Sequence, residues 1–69
     1  MKTLTLRQAI IQRVRNKNDD ELYQIIEDSV RSEERALPGL GVLFEIIWEN
    51  SAEETKKQLV STLNANVPN

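Results

Sequence analysis

Few side chains in this sequence can do chemistry, and their spacing limits what they can do. The carboxylates stand out in two arrangements, the run Asp19-Asp20-Glu21 and the i, i+4 pair Glu45 and Glu49. Carboxylates gathered in a concave site can share acid–base work or hold a divalent cation. One hydroxyl, Ser29, falls inside an apolar stripe, where a serine becomes a nucleophile only if a base takes its proton. The sequence has no histidine and no cysteine. Ser29 therefore lacks its usual activator, and disulfides and thiolate metal sites are excluded. Gly39 and Gly41 do not make a phosphate loop, because the lysine and hydroxyl that follow in such a loop are missing. No catalytic, metal or cofactor-binding residue is assigned, and the chain is expected not to be an enzyme.

The other chemistry-bearing group is basic. Lys2, Arg7, Arg13, Arg15 and Lys17 give residues 1–18 a charge of +5, while residues 19–69 carry −7. A basic arm of this kind can contact phosphates, with Arg7, Arg13, Arg15 and Lys17 as the contacts. It can equally be attracted to the acidic body, within the fold or between subunits. The whole-chain charge of −2 favours the second reading, since nonspecific nucleic-acid binding relies on basic excess.

Helices must position these groups. Leu6, Ile10 and Val14 line up at 100° per residue, widened by Ala9 and Ile11, which predicts a helix from about Leu4 to Arg15. Thr5 and Gln8 have capping-box spacing at its start. Asn16-Lys17-Asn18 breaks it. Asn18 and Glu21 open a second helix whose acidic first turn suits the macrodipole. Leu22, Ile25, Ile26 and Val30 make its buried face, with Tyr23 at the edge, and it is expected to end near Arg35, before Leu37-Pro38. Ser29 reads as a small residue that allows close approach, its hydroxyl bonded to the preceding turn.

Pro38, Gly39 and Gly41 read as a structural turn, a sharp reversal with at least one glycine at positive φ or at a close backbone approach. A third helix follows from about Leu40 to Asn50. It is apolar nearly all round, which predicts a central helix covered on several sides. Glu45 and Glu49 mark its wet strip, and a basic neighbour such as Arg7 or Arg13 would offset their mutual repulsion. Ser51 and Glu54 suggest a third capping box, opening a helix to about Leu63. Ala52, Leu59, Val60 and Leu63 form its buried face, the Lys56 stem lies across it, and Glu53 and Lys57 are spaced for an ion pair.

The expected architecture is all-α, a small compact bundle of four short helices with the third central. Residues 1–64 form a single helical domain and 65–69 a C-terminal tail. A chain of 69 residues buries only roughly 60% of its unfolded surface, so stability must come from packing or from a partner chain. The third helix offers seven large apolar side chains in the nine positions from Leu40 to Trp48. A symmetric homodimer is expected, packing part of this helix or the adjoining face of the first helix against its mate, with Phe44, Ile47 and Trp48 as the candidate interaction surface; a closed monomer is the rival. A DNA-reading helix-turn-helix is disfavoured, because the recognition helix would turn Glu45 and Glu49 toward phosphates. No apolar run approaches the ~18 residues of a membrane span, and no signal-peptide core opens the chain. A cytoplasmic location without membrane association is expected.

Several blocks also carry a family resemblance. They are Leu4-x-Leu6-Arg7 with Ala9-Ile10-Ile11 and Val14, Glu21-Leu22 with Ile25-Ile26 and Asp28, the stretch Leu37 through Trp48, then Ser51 and Thr62-Leu63. Over most of its length the chain resembles the small acid-soluble spore proteins of type I, found in spore-forming bacilli. The segment Arg15–Asn18 departs from the glycine-containing connection of that family. The resemblance implies a minor protein made in the forespore and kept in the spore core. The family's motifs define no molecular activity, so no catalytic residue carries over. Nothing here resembles the protease-recognition segment or DNA-contacting pattern of the major spore proteins. Two functional classes stay open: a structural or protein-interaction role in sporulation, its partner unidentified, or nucleic-acid association through the basic arm.

Overall fold

The computed structural model describes residues 5–68. Leu4, where the first helix was expected to begin, and the basic Lys2 lie outside the described residues, as does Asn69 of the tail. Within them the chain is all-α. Helix α1 spans Leu6–Val14, α2 Asp19–Ser29, α3 Leu37–Glu49 and α4 Glu53–Asn66, with a 3₁₀ turn at Glu34–Ala36 leading into α3. Helix α3 is the central element, packed against α1, the 3₁₀ turn and α2.

The first two helices start as their residues dictate. The Gln8 amide donates to Thr5 Oγ1 at 3.1 Å while Thr5 N donates to Gln8 Oε1 at 2.9 Å. Asn18 and Glu21 repeat the exchange at 2.8 and 3.1 Å. Each box satisfies two amides that the helix leaves unpaired. Both helices stop on a residue in the left-handed region, Asn16 at φ 60° and Arg31 at φ 64°. Asparagine tolerates that conformation, whereas arginine occupies it at a cost.

Arg31 also relocates the chain reversal. Helix α2 ends at Ser29, not near Arg35, and the turn closes with Ser32 N donating to the Ser29 carbonyl at 3.3 Å. The expected turn at Pro38, Gly39 and Gly41 is therefore corrected. All three lie inside α3, with Pro38 in its first turn, where a proline's missing N–H costs nothing. Neither glycine has positive φ. Gly39 still permits a close approach: a Cβ there would stand 3.1 Å from Ile10 Cδ1, so α1 lies hard against α3 at this point. Gly41 faces open space.

The start of α4 is a second correction. Ser51 does not cap it. Its hydroxyl donates backward to the Ile47 carbonyl at 2.6 Å, beside Asn50 Nδ2 donating to the Ile46 carbonyl at 2.8 Å. These side chains add donors to carbonyls at the end of α3, where the Ile47 carbonyl also accepts from Asn50 N at 3.3 Å. Ala52 becomes the N-cap and offers no side-chain acceptor. At its other end α4 runs on to Asn66, three residues past the expected Leu63, and Asn66 Nδ2 donates to the Thr62 carbonyl at 2.8 Å. Val67 stops it because a residue before proline disfavours the helical region.

Burial is thinner than a helix apolar all round suggests. Among the described residues only Val42 is buried, at 8% exposure. Ile10, Val14, Leu22, Ile25, Ile26, Leu40 and Leu43 are half-buried where α1, α2 and α3 meet. Tyr23 and Val30 stay exposed. Cover is therefore one-sided, because α4 does not lie back along α3. Leu59 is half-buried, but Ala52, Val60 and Leu63, expected to be covered, are exposed.

Candidate interaction surface

Helices α3 and α4 face one another across an open groove of about 830 Å³. Its α3 wall carries Gly41, Phe44 and Trp48, and its α4 wall carries Leu59, Val60 and Leu63. The α3 wall follows from helical spacing, since 41, 44 and 48 fall one above another on a single face. The rings of Phe44 and Trp48 stand 5.8 Å apart between centroids, tilted by 38°, a favourable aromatic arrangement. Phe44 is nevertheless 48% exposed, Val60 50% and Leu63 65%. Gly41 contributes by lacking a side chain, which leaves room at the foot of that wall.

At the mouth, Lys56 is half-buried and its Nζ lies 5.5 Å from the Trp48 ring centroid. A cation over an aromatic face is attracted by the ring quadrupole, so this contact tethers the start of α4 to α3. The expected Lys56 stem across the α4 face is thus turned onto Trp48. Glu53 and Lys57, spaced for an ion pair, are not among the salt bridges of the described residues.

The polar groups of the groove are already engaged. Glu45 is bound by Arg7 of α1, and the Thr62 hydroxyl donates to the Gln58 carbonyl at 3.0 Å. The hydrogen bond from Arg7 holds the Glu45 carboxyl below the usual carboxylate range, partly opposed by desolvation. Reciprocally, Glu45 raises the Arg7 guanidinium, and the charge of Glu49 adds to the effect. Arg7 is therefore the basic neighbour that answers the Glu45 and Glu49 pair.

The residues singled out in the sequence are distributed as follows. Phe44 and Trp48 are brought together in the groove. Ile47, 43% exposed, points to another side of α3 and is not part of the lining. Gly41 belongs to the groove and not to a turn. Arg13, Arg15 and Lys17 are exposed near the end of α1 and in the segment after it, while Arg7 is drawn away to Glu45. Ser29 donates to the Ile25 carbonyl at 2.8 Å, as its place inside the α2 stripe implied. The acids Asp19, Asp20 and Glu21 occupy the first turn of α2. Among the described residues no cluster of carboxylates has metal-ligand geometry, and no helix is long and apolar enough to cross a membrane. Leu59, Val60 and Leu63 were legible as an apolar stripe, but nothing local in the sequence marks that stripe as uncovered.

Fold and surface together define a small all-α protein organised around one apolar helix. The chain belongs to the small, acid-soluble spore protein I family, whose model matches residues 4–67. It is therefore a spore protein. The small, acid-soluble spore protein I of Geobacillus sp. (strain WCH70) is 48% identical over 61 residues, covering 87% of this chain and 86% of that protein. The protein of the same name from Bacillus subtilis (strain 168) is 46% identical over 61 residues, with the same shares. That of Geobacillus kaustophilus (strain HTA426) is 48% identical over 61 residues, covering 87% of this chain and 88% of the relative. No solved structure matches the chain.

Proposed function

We propose that this protein is a non-enzymatic structural or interaction protein of the forespore and spore core, acting through the apolar face between α3 and α4. The observation that carries this reading is the exposure of Phe44, Val60 and Leu63 around one groove in a chain that buries so little else. Exposed apolar surface of this kind marks a place where another surface docks. Absence of catalysis is supported by the sequence, which has no histidine or cysteine, and by the commitment of the Ser29 hydroxyl to a backbone carbonyl. Capture of partners from sporulating cells with the tagged chain, compared with a Phe44→Glu variant, tests the reading. Partners retained by the variant at wild-type levels would overturn it. Fractionation of forespore from mother cell tests the location, and a mother-cell signal would overturn that part.

Nucleic-acid association is the second reading. Its support is the cluster Arg13, Arg15 and Lys17, exposed and outside the two salt bridges of the described residues. With Arg7 engaged by Glu45 and a net charge of −2, weak duplex binding is expected at near-physiological salt. A fluorescence titration at two salt concentrations decides. Submicromolar affinity with a steep salt dependence would promote this reading over the first.

A further inference from the structure

We infer that the occupant of the α3–α4 groove is a second copy of this chain, the two copies closing their grooves on each other about a two-fold axis. The inference rests on the reading of the α3–α4 face as an interaction surface and adds the identity of the partner.

The groove's chemistry narrows the occupant. A small-molecule site holds a few polar groups aimed at the ligand to fix its orientation. Here the groove lining carries only two polar side chains, and both already hold partners in the chain, Glu45 with Arg7 and the Thr62 hydroxyl with the Gln58 carbonyl. No basic side chain lines the groove itself, the Lys56 ammonium at its mouth lies against the Trp48 ring, and the charge inside the lining is the acid Glu45, which repels a phosphate backbone. What fits is an apolar stripe on a helix.

The chain itself carries such a stripe. Leu59, Val60 and Leu63 lie on α4, and every residue from Gln58 to Asn66 is uncharged. The mate's α4 can therefore enter beside Phe44 and Trp48 without bringing a charge onto them. Neutrality of the α4 stripe matters for two identical chains of charge −2: the one acid in the groove lining, Glu45, is paired with Arg7 of its own chain, and the mate's α4 brings no second acid toward it. The exchange is reciprocal: each copy's α4 stripe covers the exposed face of the other, which is the self-complementarity a two-fold interface requires.

Size sets the strength of the contact. Helices of 13 and 14 residues are each about 20 Å long and, with side chains, about 10 Å across. Side by side they offer a face with a footprint of roughly 400 Å² per partner, smaller than a standard contact, so association is expected only in the micromolar range. Closing it would join α3 and α4 of both copies in a shared four-helix core and supply the burial that Val42 alone does not.

Sedimentation equilibrium of the full chain across a range from low to high micromolar is the test. The wild type should move from the mass of one 7.9 kDa chain to that of two, with Trp48 emission shifting to the blue over the same range. Leu63→Glu and, separately, Val60→Glu place a charge on exposed groove positions, and circular dichroism verifies that helicity persists. Each should halve the high-concentration mass and abolish the emission shift. A wild type that keeps the mass of one chain throughout overturns the inference whatever the variants do. A dimer that survives both substitutions also overturns it, because the copies would then meet through another face. Partners from sporulating cells that are lost with Leu63→Glu, alongside a monomeric wild type, would sink the second copy while sparing the interaction reading.

Discussion

Arg7 of α1 grips Glu45 of α3 across 38 residues of sequence, each terminal guanidinium nitrogen donating to a different carboxylate oxygen, the second at 3.2 Å. This two-pronged geometry fixes orientation as well as distance. It ties the basic arm to the central helix at the edge of the apolar groove. It also gives the +5 and −7 halves of the chain a specific point of contact.

The pH dependence of that pair has a definite sign. The hydrogen bond from Arg7 lowers the Glu45 pKa in the folded chain, so the unfolded chain binds more protons as pH falls past the ordinary value of 4.5. The contribution of the pair is therefore present above that value and lost as pH drops through the lowered one. Thermal melts of the wild type and Glu45→Gln should differ most near neutrality and converge in acid. A gap that stays constant down to low pH would show that the pair does not titrate in this way.

The two glycines of α3 should respond differently to alanine. Gly41 faces open space, so Gly41→Ala recovers helix propensity and should stabilise by about 0.8–1 kcal/mol. Gly39 sits in the first turn and its added Cβ would crowd Ile10 Cδ1. Gly39→Ala should therefore gain less, or nothing. Chemical denaturation of both variants gives the comparison, and an equal gain would mean that α1 yields without cost.

Helix α4 begins on an alanine where a capping side chain would satisfy an amide. Ala52→Asp should stabilise the protein by about 1 kcal/mol, since Ala52 is exposed with extended backbone geometry already suited to an N-cap. Denaturant melts measure it. No gain would indicate that α4 contributes little to the cooperative unit.

Arg31 is strained at φ 64° while Asn16 occupies the equivalent place after α1 with a residue suited to it. Arg31→Gly should be neutral to stabilising by up to about 1 kcal/mol, the relief of strain being partly offset by the freer unfolded chain. Arg31→Val should destabilise, as a branched residue tolerates that region poorly. The reverse order in a melting experiment would place the end of α2 elsewhere.

Features that depend on neighbours within about four residues could be read from the chain directly. The boxes at Thr5 with Gln8 and Asn18 with Glu21, the return of the Ser29 hydroxyl to Ile25, the helical periodicity and the family blocks were all legible, because each requires only the local chain. The pairing of Glu45 with a basic residue on the first helix was legible too, from the like charges at Glu45 and Glu49.

Everything else depended on packing between distant segments. Pro38 and the glycines fit a turn or a helix start equally well, and the choice went to the helix because the chain had already reversed at Arg31. The Ser51 hydroxyl could serve either neighbouring helix by its place in the sequence, and it bonds the Ile47 carbonyl near the end of α3 while α4 opens on Ala52 without a side-chain cap. The stripes of α3 and α4 declare that those faces are apolar, not what lies against them. Burial is a property of neighbours distant in sequence, and α4 stands away from α3 over much of its length. That separation leaves Val60 and Leu63, which the sequence pattern alone had placed in a buried face, on a groove opposite Phe44, already expected at an interaction surface.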